Sequence, residues 1–141
     1  MQCSNKKKVV VIDGQGGKLG KLIVETIKKE NIECDIYAIG SNSIATAAML
    51  KADADYAATG ENPVVVACRD ADVIVGPIGI TCADAMLGEI TPAMAMAVGQ
   101  SGAKKLLIPM NNCDNVVIGV KNATMTELVN EAVDSLKKIF V

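Results

Sequence analysis

The sequence predicts a three-layer, doubly wound α/β fold, with a mostly parallel sheet and an antiparallel hairpin at one edge. Three observations lead there. Short β-branched runs alternate with helical patterns along the chain. The connections are brief, as right-handed β-α-β crossovers require. The first strand runs directly into a glycine-rich turn that opens the first helix, a junction characteristic of such sheets. The 141 residues are expected to form one domain spanning 1–141, because a chain of this length buries roughly 70% of its unfolded surface.

Residues 8–13 (KVVVID) carry no polar face and suit a buried parallel strand. Over residues 18–30, Leu19, Leu22, Ile23, Thr26 and Ile27 share one helical face, while Lys21, Glu25, Lys28 and Lys29 share the other. Residues 34–39 (CDIYAI) form the second strand. Residues 43–52 form an Ala-rich helix capped by Ser41 or Ser43. A short third strand at 55–58 precedes a helix at 62–69 with Pro63 in its first turn. Residues 72–75 (DVIV) make the fourth strand. Thr81 with Asp84 has capping-box spacing, and Thr91-Pro92 pairs an N-cap with proline at the first helical position.

Residues 83–100 are apolar almost all round, with Met86, Leu87, Met94, Met96 and Val98, so they are expected to be helical and covered on more than one side. Residues 104–109 (KKLLIP) form the fifth strand and 116–120 a sixth. The link between them is too short for a parallel crossover, so the sixth is expected to pair antiparallel. The last helix runs from 124 to about 140. Thr124 and Glu127 form its capping box. Met125, Leu128, Val129, Ala132, Val133, Leu136 and Ile139 form its inner stripe.

Composition excludes much chemistry. The net charge is −2, and there is no histidine and no tryptophan. Without histidine there is no Ser-His-Asp or Cys-His catalysis, no imidazole acid–base chemistry and no histidine–metal site. The cysteines (Cys3, Cys34, Cys68, Cys82, Cys113) form no CxxC pair, so no metal site or redox dithiol is expected. Three aromatics and mild acidity supply neither a base-stacking platform nor a phosphate-tracking stripe, which argues against nucleic acid as a partner. No apolar run approaches the ~20 residues of a membrane span. The basic start, residues 1–8, is followed by only a four-residue apolar run, shorter than a signal peptide needs, so the expected location is the cytoplasm.

The strongest signal is Asp13-Gly14-Gln15-Gly16-Gly17-Lys18-Leu19-Gly20, between the first strand and the first helix. Glycines let a backbone approach a phosphate, and the N–H groups of a helix start attract an anion. Leu19 breaks the strict GxGxxG pattern, but Gly14, Gly17 and Gly20 satisfy GxxGxxG. That spacing resembles NAD(P)-binding Rossmann domains of the reductase and extended short-chain-dehydrogenase type. The resemblance implies that Gly14, Gly17 and Gly20 wrap a pyrophosphate, with Gln15, Gly16, Lys18 and Leu19 giving backbone donors. The P-loop is rejected, because Gln15 stands where its first glycine belongs and Leu22 replaces the magnesium-binding hydroxyl.

A purely structural role, tight strand–helix packing, competes for these glycines. Replacing Gly17 with Val is expected to abolish binding and leave the fold intact. Asp13 would oppose a phosphate and is read as a cap on the turn's own N–H groups. The second strand ends in Gly40-Ser41-Asn42-Ser43 rather than the acidic residue of an NAD enzyme. Ser41 and Asn42 are candidates for a ribose or 2′-phosphate, and equally for helix caps. Gly76, Pro77 and Gly79 leave room for a flat ligand after the fourth strand, and a tight turn explains them as well. The polar loop 111–115 is read first as a connection, and Cys113 within it has no histidine to activate it.

DGQGGKLGK, DADVIVGPIG, LGEITPAMA and KKLLIPMN together resemble a small, uncharacterised bacterial family known as domain of unknown function 3842. The likeness spans nearly the whole chain. It implies a stand-alone Rossmann-like protein of the bacterial cytoplasm and supplies no reaction. Two classes of function follow. In one, the chain binds NAD, NADP or a related adenine nucleotide through the glycine loop; if it is an enzyme it is a reductase, and neither Tyr37 nor Tyr56 belongs to a YxxxK motif. In the other, it is a non-catalytic metabolite-sensing or assembly subunit, a homodimer joined through the Met-rich 83–100 region. A different small ligand, such as a sugar phosphate, fits the same loop.

Overall fold

The computed structural model describes residues 5–110 and 115–141. Five strands, β1 (Lys7–Asp13), β2 (Cys34–Gly40), β3 (Tyr56–Thr59), β4 (Val73–Pro77) and β5 (Lys104–Ile108), form one sheet in the order β3-β2-β1-β4-β5. Every pairing is parallel. The helices are α1 (Lys18–Lys29), α2 (Ser43–Lys51), α3 (Glu61–Cys68), α4 (Pro92–Gln100) and α5 (Met125–Ile139). A 3₁₀ turn at Ile78–Thr81 follows β4.

Alternation along β1 explains the layers. Val9 and Val11 meet one face of the sheet, and Val10 and Ile12 the other; all four are at most 1% exposed. The first face receives Ile23, Val24 and Ile27 of α1, Met49 of α2, and Val129, Val133 and Leu136 of α5. The second receives Val64 and Ala67 of α3 and Met94, Ala95 and Val98 of α4. Apolar packing on both faces is what makes β1 read as an unbroken apolar run. Tyr37 and Tyr56 stack side by side across β2 and β3, with ring centroids 4.6 Å apart. Among the described residues no helix is long and apolar enough to cross a membrane.

Three sequence expectations change. The antiparallel sixth strand does not form, and among the described residues the sheet is wholly parallel. A strand needs a face to bury, yet Val116 and Ile118 are 83% and 90% exposed, and Gly119 turns the chain at φ 90°.

The helix expected over 83–100 is confined to Pro92–Gln100. Thr91, immediately before Pro92, is held extended at φ −73° and ψ 159°, as the following proline ring requires. Its hydroxyl accepts from the Met94 N–H at 3.2 Å. The Thr81 hydroxyl instead donates to the Ile78 carbonyl, so no capping box forms with Asp84.

The cap of α2 is Asn42, whose side chain accepts from the Ala45 N–H at 2.9 Å, rather than Ser41 or Ser43. The expected cap of α5 does form, with Thr124 accepting from the Glu127 N–H. Residues 111–114, including Cys113, lie outside the described residues.

Candidate functional site

Parallel order places the C-terminal ends of β1 and β4 side by side, and the chain leaves them towards opposite faces of the sheet. α1 packs on one face and α4 on the other. This divergence opens a crevice beyond the strand ends, where such sheets take ligands. Three segments meet there: the glycine loop at 14–17, Ser41-Asn42 after β2, and the stretch from 78 to 91.

The loop folds back on itself, with the Gly17 N–H donating to the Gly14 carbonyl at 3.0 Å. Gly17, the N-cap residue of α1, sits at φ 75° and has no side chain to cap with. Asp13 does that work from below. Its carboxylate accepts from the Gly14 N–H at 2.8 Å and the Gly20 N–H at 2.7 Å. Asp13 is only 5% exposed. Burial pushes its carboxyl above the ordinary 3.8, the two N–H groups pull it back, and the neighbouring Glu89 charge pushes it up again. The reading of Asp13 as a cap is therefore realised, and one amide of the helix start already holds an internal anion.

The four loop glycines divide by cause. A Cβ on Gly17 would lie 2.7 Å from the Ala45 Cα, so this glycine lets α1 and α2 approach. A Cβ on Gly20 would meet Met49 Sδ at 2.6 Å and Asp13 Cβ at 2.8 Å. A Cβ on Gly14 would collide with Ser41 Oγ and approach Met86 Sδ at 2.7 Å. Gly16 alone has open space around it, and its φ is not positive. Among the described residues, the N–H groups of Gly16, Lys18 and Leu19 meet no acceptor. Gly17 is thus a packing residue, and a Val there would be strained in the fold itself as well as in any binding role.

Residues 82–90 lie across the loop as a cover, built of turns and bends without helix or strand. Ile80 and Ile90, both at most 1% exposed, anchor its ends, while Leu87 at the tip is 99% exposed. The Asp84 N–H donates to the Ile90 carbonyl at 2.7 Å, closing the segment on itself. Asp84, Met86 and Leu87 adopt φ 66°, 58° and 56°. Left-handed conformation in non-glycine residues costs about 1 kcal/mol each, so tertiary contacts must hold the cover in place.

Glu89 provides one such contact. A single carboxylate oxygen, Oε1, accepts from the Gln15 N–H at 2.9 Å, Ser41 Oγ at 2.7 Å and Asn42 Nδ2 at 2.7 Å. Partial burial pushes this carboxyl up, but the hydrogen bonds from Ser41, Gln15 and Asn42 together hold it below the ordinary 4.5. A cavity of about 110 Å³ remains beneath the cover, lined among others by Asp13, Gly14, Leu19, Pro77, Gly79 and Met86.

The sequence-selected residues therefore converge only in part. Gly14, Gln15, Leu19, Pro77 and Gly79 line the cavity, while Ser41 and Asn42 lie outside its lining and share the Glu89 carboxylate with Gln15. Gly76 belongs to β4 itself, where a side chain would collide with the Ile12 carbonyl, so its role is strand packing. Lys18 is exposed beside the loop.

Glu89 and Met86 escaped sequence reasoning because both fell inside an expected helix. The signal was present: Glu89 is the sole charged residue between Asp84 and Lys104, preceded by Gly88 and followed by Thr91-Pro92. Of the Met-rich region, Met94 is buried in the core and Met86 lies in the cavity wall, leaving Met96 exposed. No continuous methionine surface results. Cys34 and Cys68 are buried, and burial pushes each thiol up to about 11, which leaves them unreactive.

The family described as Domain of unknown function (DUF3842) matches residues 8–141. No curated protein matches the chain. Among solved structures, the chain is similar to a dodecameric FMN-dependent Ubix-like decarboxylase from Escherichia coli O157:H7, at 16% identity and a TM-score of 0.43, over 96% of this chain and 77% of that one.

Proposed function

The chain belongs to the DUF3842 family, and from that premise, which assigns no reaction, we propose that it binds an adenine nucleotide across the β1–β4 crevice in a single Rossmann-like domain. One observation carries the reading. Gly16 is bare for no packing or backbone reason, and the N–H groups beside it, on Gly16, Lys18 and Leu19, have no acceptor among the described residues. A phosphate resting on Gly16 would satisfy those donors, with the Lys18 ammonium close by to neutralise it. Pro77 and Gly79 would form a flat wall beside it, in the same cavity as Gly14 and Gln15.

A thermal-shift comparison with ADP, NAD, NADP and inorganic phosphate tests this. A ligand at ~100 times its Kd stabilises the native state by about 2.7 kcal/mol. The expected result is a shift with ADP or NAD that Gly16→Val abolishes without lowering the unliganded melting temperature. Absence of any shift at millimolar nucleotide overturns the reading.

A second reading, a non-catalytic subunit that pairs with another copy of itself, is favoured by a different observation. Val116, Val117, Ile118 and Val120 are exposed together beyond β5, an apolar surface of the kind that marks contact sites. Light scattering distinguishes it: a dimer that Ile118→Asp dissociates supports this reading, and a monomer at every concentration rejects it.

A further inference from the structure

We infer that Glu89 is a built-in occupant of an anion subsite: its carboxylate latches the 82–90 cover onto the glycine loop, and a ligand phosphate takes its place when the cover opens. The inference rests on the nucleotide reading and adds where a phosphate binds and how access is controlled.

Three donors of different chemistry converge on one oxygen. Gln15 gives a backbone N–H, Ser41 a hydroxyl and Asn42 an amide N–H, all to Glu89 Oε1 within 2.7–2.9 Å. Two of the donor-bearing segments are fixed without the cover. Ser41 is tied to β1 by its N–H to the Asp13 carbonyl at 2.9 Å, and Asn42 is tied to α2 as its cap. Remove Glu89 and these donors still face one point. A hydroxyl, an amide and a backbone N–H around one oxygen are the set that recognises a phosphate oxygen as readily as a carboxylate.

The cover is shaped for this exchange. Its ends are pinned by buried Ile80 and Ile90 and its tip is solvent-exposed, so movement is confined to the span between two anchors. Gly14 has no side chain where the cover lies, since a Cβ there would crowd Met86 Sδ at 2.7 Å and Glu89 Oε1 at 3.1 Å. The loop is bare at Gly14 to receive the cover and bare at Gly16 to receive the ligand. The cavity beneath the cover, about 110 Å³, is well below the ~300 Å³ at which small-molecule pockets begin. Two like charges cannot share the same donors, so phosphate and Glu89 compete.

The test combines ADP titration by calorimetry with hydrogen exchange of the amides in 82–90, on the wild type and on Glu89→Gln. Glu89→Ala serves as a second variant if the amide retains the latch. The expected result is at least tenfold tighter ADP binding in the variant, with faster exchange at Asp84, Gly88 and Ile90, and the same acceleration in the wild type at saturating ADP.

If ADP binds the wild type and the variant binds it equally or more weakly, Glu89 is a ligand contact and the inference falls while the nucleotide reading stands. If exchange accelerates but neither ADP nor inorganic pyrophosphate binds either protein, Glu89 is a latch with no anion subsite, and both fall. Unchanged exchange refutes the latch directly.

Discussion

On its inner face the glycine loop is packed solid, with Gly17 against Ala45, Gly20 against Met49, and the Asp13 carboxylate holding the N–H groups of Gly14 and Gly20. On its outer face a Cβ on Gly16 would meet nothing, and among the described residues the N–H groups of Gly16, Lys18 and Leu19 have no acceptor. Two carboxylates mark the contrast. Asp13 is buried beneath the loop, and Glu89 reaches it from above on a strained, exposed segment. Glycine content therefore answers two separate demands within seven residues, and a spacing pattern cannot assign each glycine to its own.

The contrast breaks most visibly at Gly17. Valine there must adopt φ near 75° and place its Cβ 2.7 Å from the Ala45 backbone, so Gly17→Val is expected to lose about 4 kcal/mol of stability in urea unfolding. Asp13→Ala comes next. It strands the buried Gly20 N–H, with an expected loss of about 2 kcal/mol by the same measurement. Gly16→Val on the outer face should change stability by no more than about 0.5 kcal/mol, while weakening ADP at least tenfold by calorimetry.

The smallest effect separates the two carboxylates by sign. Asp13 has its folded value raised above 3.8, so its contribution is fully present below that pH and is lost as pH rises through the folded value. Glu89 has its folded value lowered below 4.5, so its contribution is present above that pH and is lost as pH falls through the folded value. Melting curves from about pH 3 to pH 7 should show the rise in pH penalising Asp13→Asn less than the wild type, and favouring Glu89→Gln less. Parallel curves for the two variants would remove the distinction between the faces.

Much of the fold was legible because local pattern and tertiary demand agree. α1 and α5 carry clean apolar stripes, and the β-branched runs of β1 and β4 have no alternative to burial. Thr91-Pro92 marked the true start of α4.

The cover was illegible for the opposite reason. Its apolar residues suit a helix, and only the buried anchors at Ile80 and Ile90, together with the proline that restarts the chain, force turns instead. The sixth strand failed likewise, since β-branched residues at 116–120 meet no surface to cover. Within the site, sequence located the loop and the two flanking segments. It missed Glu89 because the acidic partner of Ser41 and Asn42 arrives from 47 residues further along the chain than Asn42.

Asn42 joins these parts more tightly than proximity alone. Its Oδ1 holds the first turn of α2 through Ala45, while Nδ2 donates to both the Gln15 carbonyl and Glu89. A half-turn of the amide would set its oxygen against two acceptors, so the orientation is determined by chemistry on three sides. Helix start and glycine loop are therefore tied to each other whether or not the cover is seated. An opening cover then gives up one of the two bonds made by the Asn42 amide nitrogen and leaves the other in place, so its free energy of exposure is separate from that of the loop it covers.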